Sequence, residues 1–343
     1  MFPKRTNDLL NVSIGKQEEM MWNQPANQLH PWMRSVSEYL SYLDIAPFEG
    51  RTIYALSDYV VGDKNSQYDV IGILIVDEAS CEKWNQQRSI IRQQFLPDGR
   101  RMAYKSLNDR LRMQALDPFL SAADQMNGVC ISIAINRLIP NQVVDLETFN
   151  AQRRGEFNNQ WHKNWKLRPF QHSLQVALLT AYFVAGLASE GQRLMWVSDQ
   201  DEAFANLNFH IDTGNFFTRC LGTFGIHPKF FSSIAISTSE IDCDGRYFED
   251  LLAIPDIAAG LTAKYLTSIC KELDGDRLPL STCSLSLQLK PKVDRTIKWF
   301  TTHSGMLQKI GLYQDPCDSP SGIPLHAFWT PFRRKGTEYG TKE

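Results

Sequence analysis

Residues 51–77 read RTIYALSDYVVGDKNSQYDVIGILIVD. Two runs rich in β-branched and aromatic residues, 51–61 and 68–77, flank the polar stretch GDKNSQ. Two apolar runs joined by Gly, Asp and Asn predict a β-hairpin. The runs that follow change period. Residues 80–96 carry Trp84, Ile91 and Phe95 at helical spacing, and RMAYKSL (101–107) suggests a short strand. Residues 108–128 open on Asn108 and Asp109 as caps and close on Gly128, which predicts a helix with a break or kink at Pro118. VCISIAINRLI (129–139) has the strongest strand character in the chain.

Further along, strands and helices alternate. An apolar helix is expected over 172–188, a strand ending in acids over 193–202, a helix near 215–225 and a strand over 230–242. A late helix is expected to start at Pro255, with Asp256 in its first turn, and to run to Leu273. The stretch 292–313 is expected to form a last helix. Strands alternating with helices after an initial hairpin predict an α/β domain with a mixed sheet and helices on both faces. The expected division is an appendage over 1–48 with one helix, the α/β domain over 49–275 with a polar insert near 140–170, and a C-terminal helix and polar tail over 276–343.

Composition sets the bounds. The 343 residues are 43% hydrophobic and 22% charged, an ordinary globular balance, and the net charge of −2 means any polyanion site must be a local patch. The N-terminal residues lack the apolar run of a signal peptide, and no run approaches a membrane span. Seven scattered cysteines without a C-x-x-C pair are expected to be reduced thiols of a cytoplasmic protein. No Walker A, G-x-G-x-x-G, G-x-S-x-G, H-x-x-H or H-E-x-x-H pattern is present. DCDGRYFED (242–250) lacks the spacing of a calcium loop and reads as a tight turn.

Acids at element ends are the chemical signal. Asp58 lies in the first strand, Asp199 follows the strand LMWVS with Asp201 and Glu202 behind it, and Asp256 heads the late helix. A carboxylate in an apolar strand is costly unless it is paired or ligates a metal. Several together favour a hard divalent cation. Each acid also has a bland reading: a solvent-facing strand end for Asp58, a loop or cap for Asp199 and Asp201, a dipole-compensating acid for Asp256.

On these residues the chain resembles the RNase H-like superfamily, whose nucleases hold metals with acids on the first strand, a later strand and a late helix. More closely it resembles an uncharacterised RNase H-like family known only as a numbered domain of unknown function. AIPDIAAGLTAKYL matches that family's late-helix motif well, WVSDQDEAFA its middle motif moderately, and YKSLND its Lys segment loosely. The opening LSDYVVGD keeps Asp58 but has Tyr59 where the family has Glu and Val60 where it has Ser. The resemblance spans residues 51–273. It implies an RNase H-like mixed sheet with N- and C-terminal helical additions, and Mg²⁺ or Mn²⁺ held by Asp58, Asp199 and Asp256 with Asp201 or Glu202. It also implies phosphodiester hydrolysis in DNA or RNA, of the kind linked to mobile elements and antiviral defence.

Two basic segments fit a nucleic-acid partner. Residues 83–112 hold eight Lys/Arg against two acids. Residues 153–168 hold five against one, with Trp161 and Trp165 between them. Basic side chains neutralise phosphates and aromatics stack on unpaired bases, so Lys105, Arg153, Arg154, Trp161 and Trp165 are the nucleic-acid candidates. The alternatives are a catalytically silent module binding nucleic acid, a partner protein or a second copy, and a phosphate-binding α/β enzyme of another type; the missing glycine-rich loop speaks against the last. No membrane partner is expected.

Overall fold

The computed structural model describes residues 48–139, 149–150, 164–200, 206–227, 229–242, 246–272, 289–302, 304–315 and 325–329. The expected N-terminal helix, most of the polar insert and the C-terminal tail lie outside them.

β1 (Thr52–Val60) and β2 (Tyr68–Asp77) form the expected antiparallel hairpin. Helices α1 (Cys81–Phe95) and α2 (Arg110–Ala123) follow, then β3 (Gly128–Asn136), antiparallel to β2. Asp109 caps α2, its side chain accepting from the Leu111 amide at 2.9 Å. Pro118 lies inside that helix without ending it.

α3 (Leu167–Leu187) leads to β4 (Arg193–Ser198), which pairs parallel to β1 on the side away from β2. α4 (Leu207–Thr223) then leads to β5 (Ser233–Thr238), parallel to β4. α5 (Tyr247–Glu272) crosses back over the sheet, and α6 (Pro291–Thr301) precedes β6 (Leu307–Gln314) and β7 (Leu325–Trp329). The result is one seven-stranded mixed sheet in the order β5-β4-β1-β2-β3-β6-β7.

Strand alternation sends side chains to two layers. Ile53, Ala55, Ile71, Ile73, Ile131 and Trp196 pack under α3 and α4. Leu56, Leu74, Cys130 and Val197 pack under α1, α2, α6 and the first half of α5. A smaller cluster on that same face joins Tyr68, Val70 and Ala134 to the second half of α5.

Three expectations are corrected. The late helix starts at Tyr247, two turns before Pro255, so Asp256 is mid-helix and the dipole reading of an acid in the first turn does not apply. Pro255 lies inside the helix without ending it. Residues 101–107 form a loop with a 3₁₀ turn at Tyr104–Ser106 instead of a strand. The last helix ends at Thr301; Ser304 and Gly305 break its period, and 307–314, expected as helix, are β6 beside β3. The C-terminal segment therefore supplies two strands of the main sheet. Among the described residues no helix is long and apolar enough to cross a membrane.

Candidate acidic site

Tyr54, Leu56, Asp58 and Val60 share the face of β1 that meets α5, by the period of two. Asp58 is 4% exposed and stands between the two apolar clusters of that face. Its Oδ1 accepts from the Tyr59 amide at 2.6 Å. Asp199 continues β4 by one residue: its amide donates to the Ser57 carbonyl at 2.9 Å, which carries the parallel ladder past Ser198. Alternation after Met195 and Val197 turns Asp199 to the same face as Asp58.

Asp256 arrives from above on α5, and two glycines let it in. A Cβ on Gly72, the β2 partner of Asp58, would lie closer than 3.0 Å to the Pro255 carbonyl. Only a glycine allows the helix backbone this near the strand. A Cβ on Gly260 would collide with the Tyr104 ring. The space it leaves seats Tyr104, whose amide donates to Asp256 Oδ2 at 2.6 Å. Ser132 Oγ donates to Thr262 Oγ1 at 2.7 Å and pins the next turn of α5 to β3.

The three carboxylates feel one another. Burial, then the charges of Asp256 and Asp199, push the Asp58 carboxyl well above its ordinary range, against the Tyr59 amide and Arg101. Asp256 is pushed up to about 6, first by burial and also by Asp199, while the Tyr104 amide, Arg101 and Lys105 work in the other direction.

Arg101 is the cation of the site. Its Nη2 donates to Asp199 Oδ1 at 2.9 Å, while its Nε is buried without a hydrogen-bond partner among the described residues. Its carbonyl accepts from Arg112 Nε at 2.7 Å, which ties the loop to α2. On the opposite face of the sheet, Trp196 Nε1 donates to Ser57 Oγ at 3.0 Å, and Tyr59 hydroxyl bonds Ser198 Oγ. Tyr59, where the resembled family has Glu, thus faces away from the acids.

Among the candidates from sequence, Asp58, Asp199 and Asp256 come to one face. Lys105 is exposed and near enough to act on Asp256. Asp201, Glu202, Arg153, Arg154 and Trp161 lie outside the described residues. Trp165 cannot serve as a base platform: it is 2% exposed, stacked on Phe209 at 4.0 Å, and its Nε1 donates to Asp212 at 2.7 Å. A stacking ring needs a free face, and this one is core. Arg101 was one of several arginines in a basic segment, with no local sign to single it out. Gly72 had such a sign, a lone glycine inside a strand.

An all-oxygen donor set with an excess of negative charge fits a hard divalent cation in kind. In distance it is incomplete, since among the described residues no group of three or more His, Cys, Asp and Glu is gathered as a metal cage. No protein-family model and no curated protein matches the chain. Its function has to follow from these side chains.

Proposed function

We propose that the protein is a metal-dependent nuclease of RNase H-like kind, hydrolysing phosphodiester bonds in DNA or RNA. The observation that carries this reading is three acids on one face: the buried Asp58, Asp199 at the end of the adjacent parallel strand and Asp256 on the crossing helix, with the Asp58 carboxyl raised first by burial and then by the charges of Asp256 and Asp199. Crowding carboxylates around a buried one is costly for stability alone and is relieved by a bound cation.

Asp58, Asp199 and Asp256 would hold Mg²⁺ or Mn²⁺, with Asp201 or Glu202 as a further ligand. The ion when bound supplies an acidified water and stabilises charge on the phosphate oxygens. The Tyr104 amide orients the Asp256 carboxylate. Arg101, paired with Asp199 and with its side chain partly exposed, would add a positive charge for a phosphate. Lys105 at the rim adds a second positive charge.

The second reading is a silent RNase H-like module that binds nucleic acid or a partner protein. Arg101 paired to Asp199 favours it, because a guanidinium there supplies part of the charge a metal would bring. Labelled single- and double-stranded DNA and RNA, incubated with Mg²⁺, Mn²⁺ or EDTA, separate the two. Metal-dependent cutting by wild type that is absent in Asp256→Ala supports the nuclease. A panel left uncut under both metals, yet bound, supports the silent module.

A further inference from the structure

Beside the acids lies a group of lysines whose arrangement is visible only in three dimensions. Lys292, in the first turn of α6, sets its Nζ 4.7 Å from the centre of the Tyr104 ring and 3.5 Å from the Tyr104 carbonyl. Tyr104 is the residue whose amide holds Asp256. Lys105 follows it and is exposed. Lys290 precedes α6 and is exposed, and Lys264 projects from α5 two turns beyond Asp256. Lys264 reaches Asp63 at 3.0 Å; Lys105, Lys290 and Lys292 have no ion-pair partner among the described residues.

The group is short of negative charge. Burial, then Lys264 and Lys290, lower the Lys292 ammonium, with Asp256 opposing them. From Asp256 to Lys264 the helix rises about 12 Å. Successive phosphates along one strand of a duplex are about 3.4 Å apart along the axis, so the group is longer than one phosphate and suits a polyanion.

We propose that Lys105, Lys264, Lys290 and Lys292 form a track for the sugar-phosphate backbone of a nucleic-acid strand, leading it past Tyr104 to Asp256. The track neutralises phosphates without reading sequence. It rests on the reading of the acids as a phosphodiester site, but its test needs no cleavage.

The test is fluorescence anisotropy of labelled 12-nucleotide DNA and RNA, single- and double-stranded, in EDTA over a series of salt concentrations. Wild type is compared with K264E/K290E/K292E and with K105E/K290E, which spares the half-buried Lys292 if the triple variant misfolds. Arg219→Glu, exposed on α4 across the sheet, is the control. The expected result is binding that falls with salt, weakened at least thirtyfold in the triple variant and about tenfold in the double, with the control unchanged. The slope of log affinity against log salt should flatten by about one for each phosphate that is no longer neutralised. Equal affinity in wild type and both variants overturns the track, as does equal loss in the control, absence of binding to every oligonucleotide, or equally tight binding of polyglutamate. Failure of the nuclease reading would look different: oligonucleotides held through these lysines but never cut.

Discussion

The carbonyl of Pro255 occupies the space that a Cβ on Gly72 would need. This close approach fixes the height of α5 over β2 and, one residue later, brings Asp256 to Asp58. Gly72→Ala should therefore act at two levels. It should destabilise the fold by about 1–3 kcal/mol, as forced overpacking does, read by urea unfolding. It should also lift Asp256 away from Asp58 and weaken Mn²⁺ binding, read by calorimetry. A variant as stable as wild type, with unchanged Mn²⁺ affinity, would show that this approach does not set the site.

Asp256 gives the metal-free protein a pH dependence of known sign. Its carboxyl is raised from 3.8 to about 6 in the folded state. The folded protein thus prefers it protonated. This contribution to stability is fully present below the unfolded value of 3.8 and is lost as pH rises through 6. Asp256→Asn should remove the loss and make the protein more stable than wild type at about pH 7–8 in EDTA, by roughly 1–3 kcal/mol. The same variant should show no gain near about pH 4. Denaturant midpoints at the two pH values check this.

Arg101 and a divalent ion answer the same negative charge. Arg101→Gln leaves Asp199 without its 2.9 Å partner. Mn²⁺ should then bind about tenfold more tightly, while unfolding in EDTA becomes easier at neutral pH. If Mn²⁺ binds more weakly to the variant, Arg101 supports the metal site instead of competing with it.

Asp250, fully buried on α5, is held by Arg88 Nη1 at 2.9 Å and by Arg92 Nε and Nη2, each at 2.5 Å. This clamp joins α1 to α5. Asp250→Ala strands two guanidiniums in the interior and should cost about 3–5 kcal/mol, measured by guanidinium unfolding. A loss under about 1 kcal/mol would mean water reaches the arginines.

Local chemistry was readable where local forces decide. The hairpin of β1 and β2, the Asp109 cap and the buried strand β3 follow from alternation, turn residues and a short polar side chain. The start of α5 was not readable, because Pro255 looks like a first-turn residue. The two turns before it are held by the sheet and by Arg88 and Arg92 through Asp250, partners far away in sequence. β6 was hidden for a similar reason: its residues are buried by β3, and nothing near 307 announces that partner. Among the acids, residue type and placement marked Asp58, Asp199 and Asp256. Lys105 stood out in its basic segment, but Arg101, Lys264, Lys290 and Lys292 did not, because only the packing of the loop at 101–106 and α6 against α5 brings them to the acids.

The most direct measurement is a Mn²⁺ titration followed by electron paramagnetic resonance on wild type, Asp58→Asn and Asp256→Asn. Saturable binding by wild type at a defined stoichiometry, lost or weakened at least tenfold in both variants, is expected if these carboxylates form a metal site. Absence of binding in wild type, or binding that both substitutions leave unchanged, would contradict it.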